Sequence, residues 1–234
     1  MSLAAQPKPA ITTVFAGSNF VLAGEGINPA AFKATWLFQS GIFKPEEISD
    51  APIITPPLII VPTLHFQFLA APNRVQVQFL SENENDVLEP LERIISGVIK
   101  FVPALPVTAI GINFDFFTAP SDDDFAKWNR ETFECAGAAA SYSPESHPRF
   151  GAYFSMNFES FRMKVDVKPI KGAQHPDPKV IETLRTRREW MHFTFNFHQD
   201  IDPASLPAHA SNAIGSWREA SKFARSILER FTAK

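Results

Sequence analysis

Residues 190–198 read Trp-Met-His-Phe-Thr-Phe-Asn-Phe-His, and this stretch decides the fold. Met191, Phe193, Phe195 and Phe197 share one parity, while His192, Thr194, Asn196 and His198 take the other. A period of two places one parity on one face of a pleated strand, so the segment reads as a strand with one buried and one wet face. The same alternation recurs at Ile110, Ile112, Phe114 and Phe116, and again at Phe150, Ala152, Phe154, Met156 and Phe158. Strands of this kind build an antiparallel sheet covered on a single side.

Working outward, Phe161, Met163, Val165 and Val167 alternate with Arg162, Lys164, Asp166 and Lys168, which predicts a hairpin turning near Glu159-Ser160. Upstream, Leu64, Phe66 and Phe68 form a second hairpin with Val75, Val77 and Phe79. Ile11 to Val14 and Phe20 to Ala23 read as short strands around a turn at Gly17-Ser18-Asn19. The prolines between Lys44 and Pro57 predict a long surface connection.

Helices are read from the three- and four-residue period. Asn28-Pro29 opens one, with Phe32, Trp36 and Leu37 as its stripe and Gly41 at its end. Val87, Leu88, Leu91, Ile94, Ile95, Val98 and Ile99 mark another. Ser121 is expected to cap a third that begins with Asp122, Asp123 and Asp124, and Pro178 to open a short fourth. The clearest is the last, with Ile214, Trp217, Phe223, Ala224, Ile227, Leu228 and Phe231 opposite Arg218, Glu219, Lys222, Arg225 and Glu229. It needs a sheet to lie on.

These elements predict an α+β fold: a largely antiparallel sheet with helices on one face and a long C-terminal amphipathic helix. Their order, β-α-β-β-α-β read twice, suggests ferredoxin-like split βαβ units. The expected organisation is a flexible lead-in over residues 1–9 and one α+β domain over 10–234, with two pseudo-equivalent lobes dividing near 103–118. The strand from Val107 to Phe117 would then serve both halves.

Composition narrows the classes. In 234 residues there are 45% hydrophobic and 20% charged residues, with a formal charge of −3, which argues against a broad basic face for nucleic acid. A single cysteine, Cys135, provides no disulfide framework and suits a reducing compartment. Met1 to Pro9 has one Lys and no long apolar run, so it does not read as a signal peptide, and no apolar stretch reaches the roughly 20 residues of a membrane span. The expectation is a soluble cytoplasmic protein without a membrane partner.

The sequence carries no recognisable catalytic constellation. His192 and His198 lie on one strand face, but six residues at about 3.3 Å each separate them by about 20 Å, too far to share a metal. His147, His175 and His209 show no ligand spacing, and neither a metal nor a cofactor is expected. G-x-S-x-G is absent, and Cys135 beside Ala136 and Gly137 suits a small buried thiol. Gly24-Glu25-Gly26 lacks both the third glycine of a dinucleotide fingerprint and the Lys-Ser/Thr of a P-loop. Consecutive Asp122, Asp123 and Asp124 do not converge on a cation as alternating loop ligands would. Arg185, Arg187 and Arg188 form a basic cluster, the candidate anion-binding residues. With 23 Phe and 2 Tyr, the aromatics sit on the parity opposite the charges and read as core. Phe154, Phe193, Phe195, Trp217 and Phe223 are the candidate lining of a pocket between sheet and final helix.

Arg74-Val75-Gln76-Val77-Gln78-Phe79, the helix to Phe101, Ala109-Ile110-Gly111-Ile112-Asn113-Phe114 and the final Trp217…Phe223…Phe231 helix together resemble a sporadically distributed bacterial family of unknown function. That family tends to carry Tyr and Asn near the end of the corresponding strand, where this chain has Phe114 and Asp115. The resemblance implies no functional residue.

Three functional classes are therefore weighed. The leading expectation is a non-enzymatic binding or assembly protein that self-associates through a sheet edge or face. The others are a carrier of a small apolar ligand between sheet and helix, and an enzyme with a dispersed site around His192, Asn196 and His198.

Overall fold

Two long strands, β1 (Ile11–Ala23) and β6 (Ala109–Pro120), pair antiparallel from Ile11↔Pro120 to Ala23↔Ala109 and form the seam of the molecule. The computed structural model describes residues 10–102, 104–121, 124–134, 148–172, 175 and 178–232, with backbone only at 34–36 and 179. Around the seam the strands β2 (Ile53–Thr55), β3 (Leu58–Pro62), β4 (Phe66–Ala71), β5 (Arg74–Phe79), β7 (Ala152–Phe158), β8 (Phe161–Lys171) and β9 (Glu189–Asp200) complete one nine-stranded sheet. Its order is β2-β3-β4-β5-β1-β6-β9-β8-β7, and every pairing is antiparallel.

The order is mirrored about the seam. β1 lies next to β5, the last strand of its half, and β6 lies next to β9, the last of the other. A split βαβ unit would instead place its first strand beside a parallel neighbour. The ferredoxin-like units read from element order are not what the pairing shows, because element order does not fix which strand a returning segment joins. β6 belongs to the second half alone, and the chain crosses between halves after helix α2 (Glu84–Phe101).

Local chemistry explains the departures from the simple pattern. Gly17 does not make a turn: β1 runs straight through it, with a bulge between Phe15 and Gly17 that switches the buried parity from Phe15 to Ser18, Phe20 and Leu22. Gly17 has φ +140°, and a Cβ there would begin 3.0 Å from the Phe79 carbonyl oxygen, so the bulge requires glycine. The proline-rich connection holds a further strand, β2, which Pro56-Pro57 join to β3 at the sheet margin, where missing amides cost least. Leu64 lies outside β4 and is exposed. Asn28 caps a 3-10 turn at Pro29–Ala31 that precedes helix α1 (Ala34–Gln39), and Asp124 rather than Ser121 caps α3 (Phe125–Phe133). Asp122, Asp123, Cys135 and His147 lie outside the described residues.

The Phe face is sealed by α2 and by α5 (Leu206–Thr232). Helix α5 buries Ala210, Ala213, Trp217, Ala220, Ala224 and Ile227, a mostly small-residue stripe that lets its backbone approach the sheet closely. Trp217 is the one fully buried aromatic ring on that stripe, and its ring centroid lies 5.3 Å from that of Phe114. Gly97 of α2 faces Ile42, whose side chain fills the space a Cβ would need. Not all helices share this face. α4 (Pro178–Arg185) packs on the opposite side, where Ala16, Phe117, Ala119 and Trp190 make the outward parity apolar and Leu184 covers them. Among the described residues no helix is long and apolar enough to cross a membrane.

Phe195 is fully buried, whereas Phe223 is half-buried at the margin of the helix layer. Phe195→Ala is therefore expected to cost about 3–5 kcal/mol of unfolding free energy, and Phe223→Ala less than about 2 kcal/mol. Urea denaturation of the two variants checks this, and equal losses would contradict the layering.

Candidate functional site

Among the described residues, one sheet edge is guarded and the other is not. β2 is three residues long and framed by Pro52 and Pro56-Pro57, the usual defence against strand addition. β7, Ala-Tyr-Phe-Ser-Met-Asn-Phe, is seven residues long and contains neither a charge nor a proline. Its hairpin partner β8 carries Arg162, Lys164, Asp166 and Lys168 on the outward face, and Arg162 reaches across to the edge strand.

The register tells which backbone groups face out. The two-residue turn at Glu159-Ser160 closes on the pair Phe158↔Phe161, and hydrogen-bonded pairs alternate along an antiparallel ladder. Ala152, Phe154, Met156 and Phe158 thus bond to β8. Tyr153, Ser155 and Asn157 turn their N–H and C=O groups toward the edge. Arg162 Nη2 reaches the Ser155 carbonyl at 3.5 Å and Nη1 donates to Asn157 Oδ1 at 2.9 Å, both at the exposed surface.

Helix α5 walls this edge on the buried side of the sheet. Phe223 packs on Phe158 (centroids 4.9 Å apart) and Phe231 on Phe154 (6.2 Å). Eight helical residues rise about 12 Å and four strand residues about 13 Å, so α5 tracks β7 along its length. Between them lies a groove of about 320 Å³ lined by Phe154, Met156, Phe223, Ile227, Arg230 and Phe231. Met156 is 40% exposed in it, and Tyr153 is 67% exposed on the other face.

Two clamps hold the edge in place. Buried Asn129 of α3 donates to the Phe150 carbonyl and accepts from the Phe150 N–H, both at 2.8 Å, and so fixes the chain just before β7. At the other end Ser216 of α5 donates to Glu159 of the hairpin turn at 3.3 Å.

The pocket residues expected from sequence divide between this groove and the core. Phe154 and Phe223 line the groove. Phe193, Phe195 and Trp217 belong to the core, with at most 1% of their surface exposed, so side chains fill the space between sheet and α5 at those positions. The groove was missed because alternation identifies a strand without revealing that it is an edge. The available signal was the absence of charge from Ala152 to Phe158.

The basic cluster is placed elsewhere. Arg187 and Arg188 line a pocket of about 440 Å³ with Ala119, Pro120, Phe125, Thr186 and Glu189, whereas Arg185 does not. Arg187 donates to the Ser121 carbonyl at 3.3 Å, and Arg149 holds the Glu189 carboxylate through two bonds of 3.1 and 2.9 Å. Glu189 therefore shares the wall with the arginines.

On the outward face the polar parity joins into rows. Asn196 donates to Asn113, which donates to Asn19, across three neighbouring strands. Asp115 accepts from Thr194 and from His192, each at 2.9 Å, while His198 lies 3.0 Å from Asp200. The two histidines thus serve different carboxylates, and Asn196 belongs to a third arrangement. Among the described residues no group of three or more His, Cys, Asp or Glu could hold a metal ion.

No protein-family model matches this chain, and no curated protein is similar to it.

Asn129→Ala removes both bonds to Phe150 at a site without solvent access. The expected loss is about 1–3 kcal/mol in urea denaturation. A loss below about 0.5 kcal/mol, ordinary for a surface site, would contradict the clamp.

Proposed function

We propose that this chain is a non-enzymatic binding or assembly protein that works by strand addition at β7. The observation that carries this reading is the pairing of an uncharged, proline-free edge strand with an apolar groove along the same strand. Strand addition draws affinity from main-chain hydrogen bonds and specificity from pockets that take alternate side chains. β7 offers the first through Tyr153, Ser155 and Asn157. Its groove offers the second on the helix side.

The contrast with β2 strengthens the reading. An unguarded hydrophobic edge invites aggregation, and a protein that protects one edge with prolines has a reason to leave the other bare when that edge is covered in use. The outward polar rows support binding rather than catalysis, since their side chains satisfy one another in separate groups.

A second reading is favoured by the groove alone: a carrier that takes a small apolar ligand against Phe154, Met156, Phe223 and Phe231. Native mass spectrometry separates the two. A carrier retains a small added mass that Phe231→Asp removes, whereas a strand-addition protein does not.

The primary reading is tested by replacing Tyr153 with the photoreactive p-benzoylphenylalanine and illuminating cells that make the protein. A covalent adduct of discrete mass is expected from position 153. None is expected from the same replacement at Gln76, on an interior strand. Absence of an adduct at 153 would count against the edge as a working surface.

A further inference from the structure

Resting on the strand-addition reading, we infer that the strand added to β7 is β7 of a second copy, paired antiparallel about a two-fold axis through Ser155. The composition of the strand points to this partner. β7 itself carries no charge, so no like charges stand directly opposite one another along the shared ladder, and the Arg162 guanidinium that donates to the Ser155 carbonyl in one copy swings out to solvent as the second copy arrives.

Only one register pairs all seven residues, the one in which paired numbers sum to twice 155. It places Ser155 opposite Ser155, Tyr153 opposite Asn157, Phe154 opposite Met156 and Ala152 opposite Phe158. On the helix side the largest residue then meets the smallest, and an aromatic ring meets a flexible thioether, so the row is complementary to itself in volume. The edge-facing backbone groups also agree. Tyr153, Ser155 and Asn157 are the residues whose N–H and C=O groups point out of β7, and in this register they bond to one another, with the Ser155 N–H of the second copy replacing Arg162 at the Ser155 carbonyl.

The alternative pairing within the same chain chemistry is weaker. A head-to-tail contact of β7 with β2 offers only three residues, and repetition would propagate an open filament. The isologous pair uses the full strand and closes at two copies. It also merges the two apolar grooves across the axis, covering Met156, which a single copy leaves 40% exposed.

Light scattering, disulfide trapping and edge variants test the inference together, with Cys135→Ser as the background for trapping. The wild-type protein is expected at twice the 26.1 kDa chain mass. Opposed Cα atoms would lie about 5.5 Å apart, within disulfide range, so Ser155→Cys should trap itself under mild oxidation. Tyr153→Cys and Asn157→Cys should each resist trapping alone and give a dimer when mixed. Ser155→Pro, which removes an edge N–H, and Met156→Lys, at an exposed side chain that folding does not need, should both give monomers with unchanged circular dichroism.

The other outcomes overturn it in distinguishable ways. A wild-type monomer excludes the second copy, and an adduct of Tyr153→p-benzoylphenylalanine to a different protein would then leave the edge reading standing. A dimer that survives both edge variants excludes the edge as well. A dimer broken by both variants but not trapped at 155, or at 153 with 157, keeps the edge and removes this register.

Discussion

The structure depends on closing the Phe face of a very wide sheet with a helix that can approach it closely. Three central strands of the nine present Phe20, Phe114, Phe116, Phe193, Phe195 and Phe197 on one side, all fully buried. That burial requires a covering layer along the centre of the sheet, and the alanine stripe of α5 provides it, with Trp217 filling the space against Phe114. Each Phe taken out of water contributes roughly 1.5–3 kcal/mol, so this one contact between layers dominates the favourable side of folding.

The same arrangement creates the candidate site. α5 runs along β7 at the margin of the sheet, where Phe223 packs on Phe158 and Phe231 on Phe154 and Phe193. Phe223 and Phe231 therefore share a half-open groove with Phe154 and Met156. The groove is the margin of the core rather than a cavity cut into it. The interior beside Phe193, Phe195 and Trp217 is occupied by side chains.

Much of this was legible in the sequence, and the failures have physical causes. The strands from Ala109, Phe161 and Glu189 and the final helix follow directly from period-two and period-three-to-four patterning. Gly17 reads as a turn because a bulge and a turn use the same conformational freedom of glycine, and only the pairing with both β5 and β6 distinguishes them. α4 on the outward face was hidden because its platform, Ala16, Phe117, Ala119 and Trp190, is assembled from three strands distant in sequence. The candidate pocket residues fall in two places for a related reason. Phe154 and Phe195 have the same parity and the same local pattern, and only strand order places one at an edge and the other in the interior.

Hydrogen exchange on the purified protein tests the central claim most directly. If β7 pairs with β7 of a second copy, the amides of Tyr153, Ser155 and Asn157 should be protected to the degree seen in interior strands at high concentration, and lose that protection on dilution. Exchange at those three amides as fast as at Ile54 on the guarded edge, at every concentration, would contradict the account.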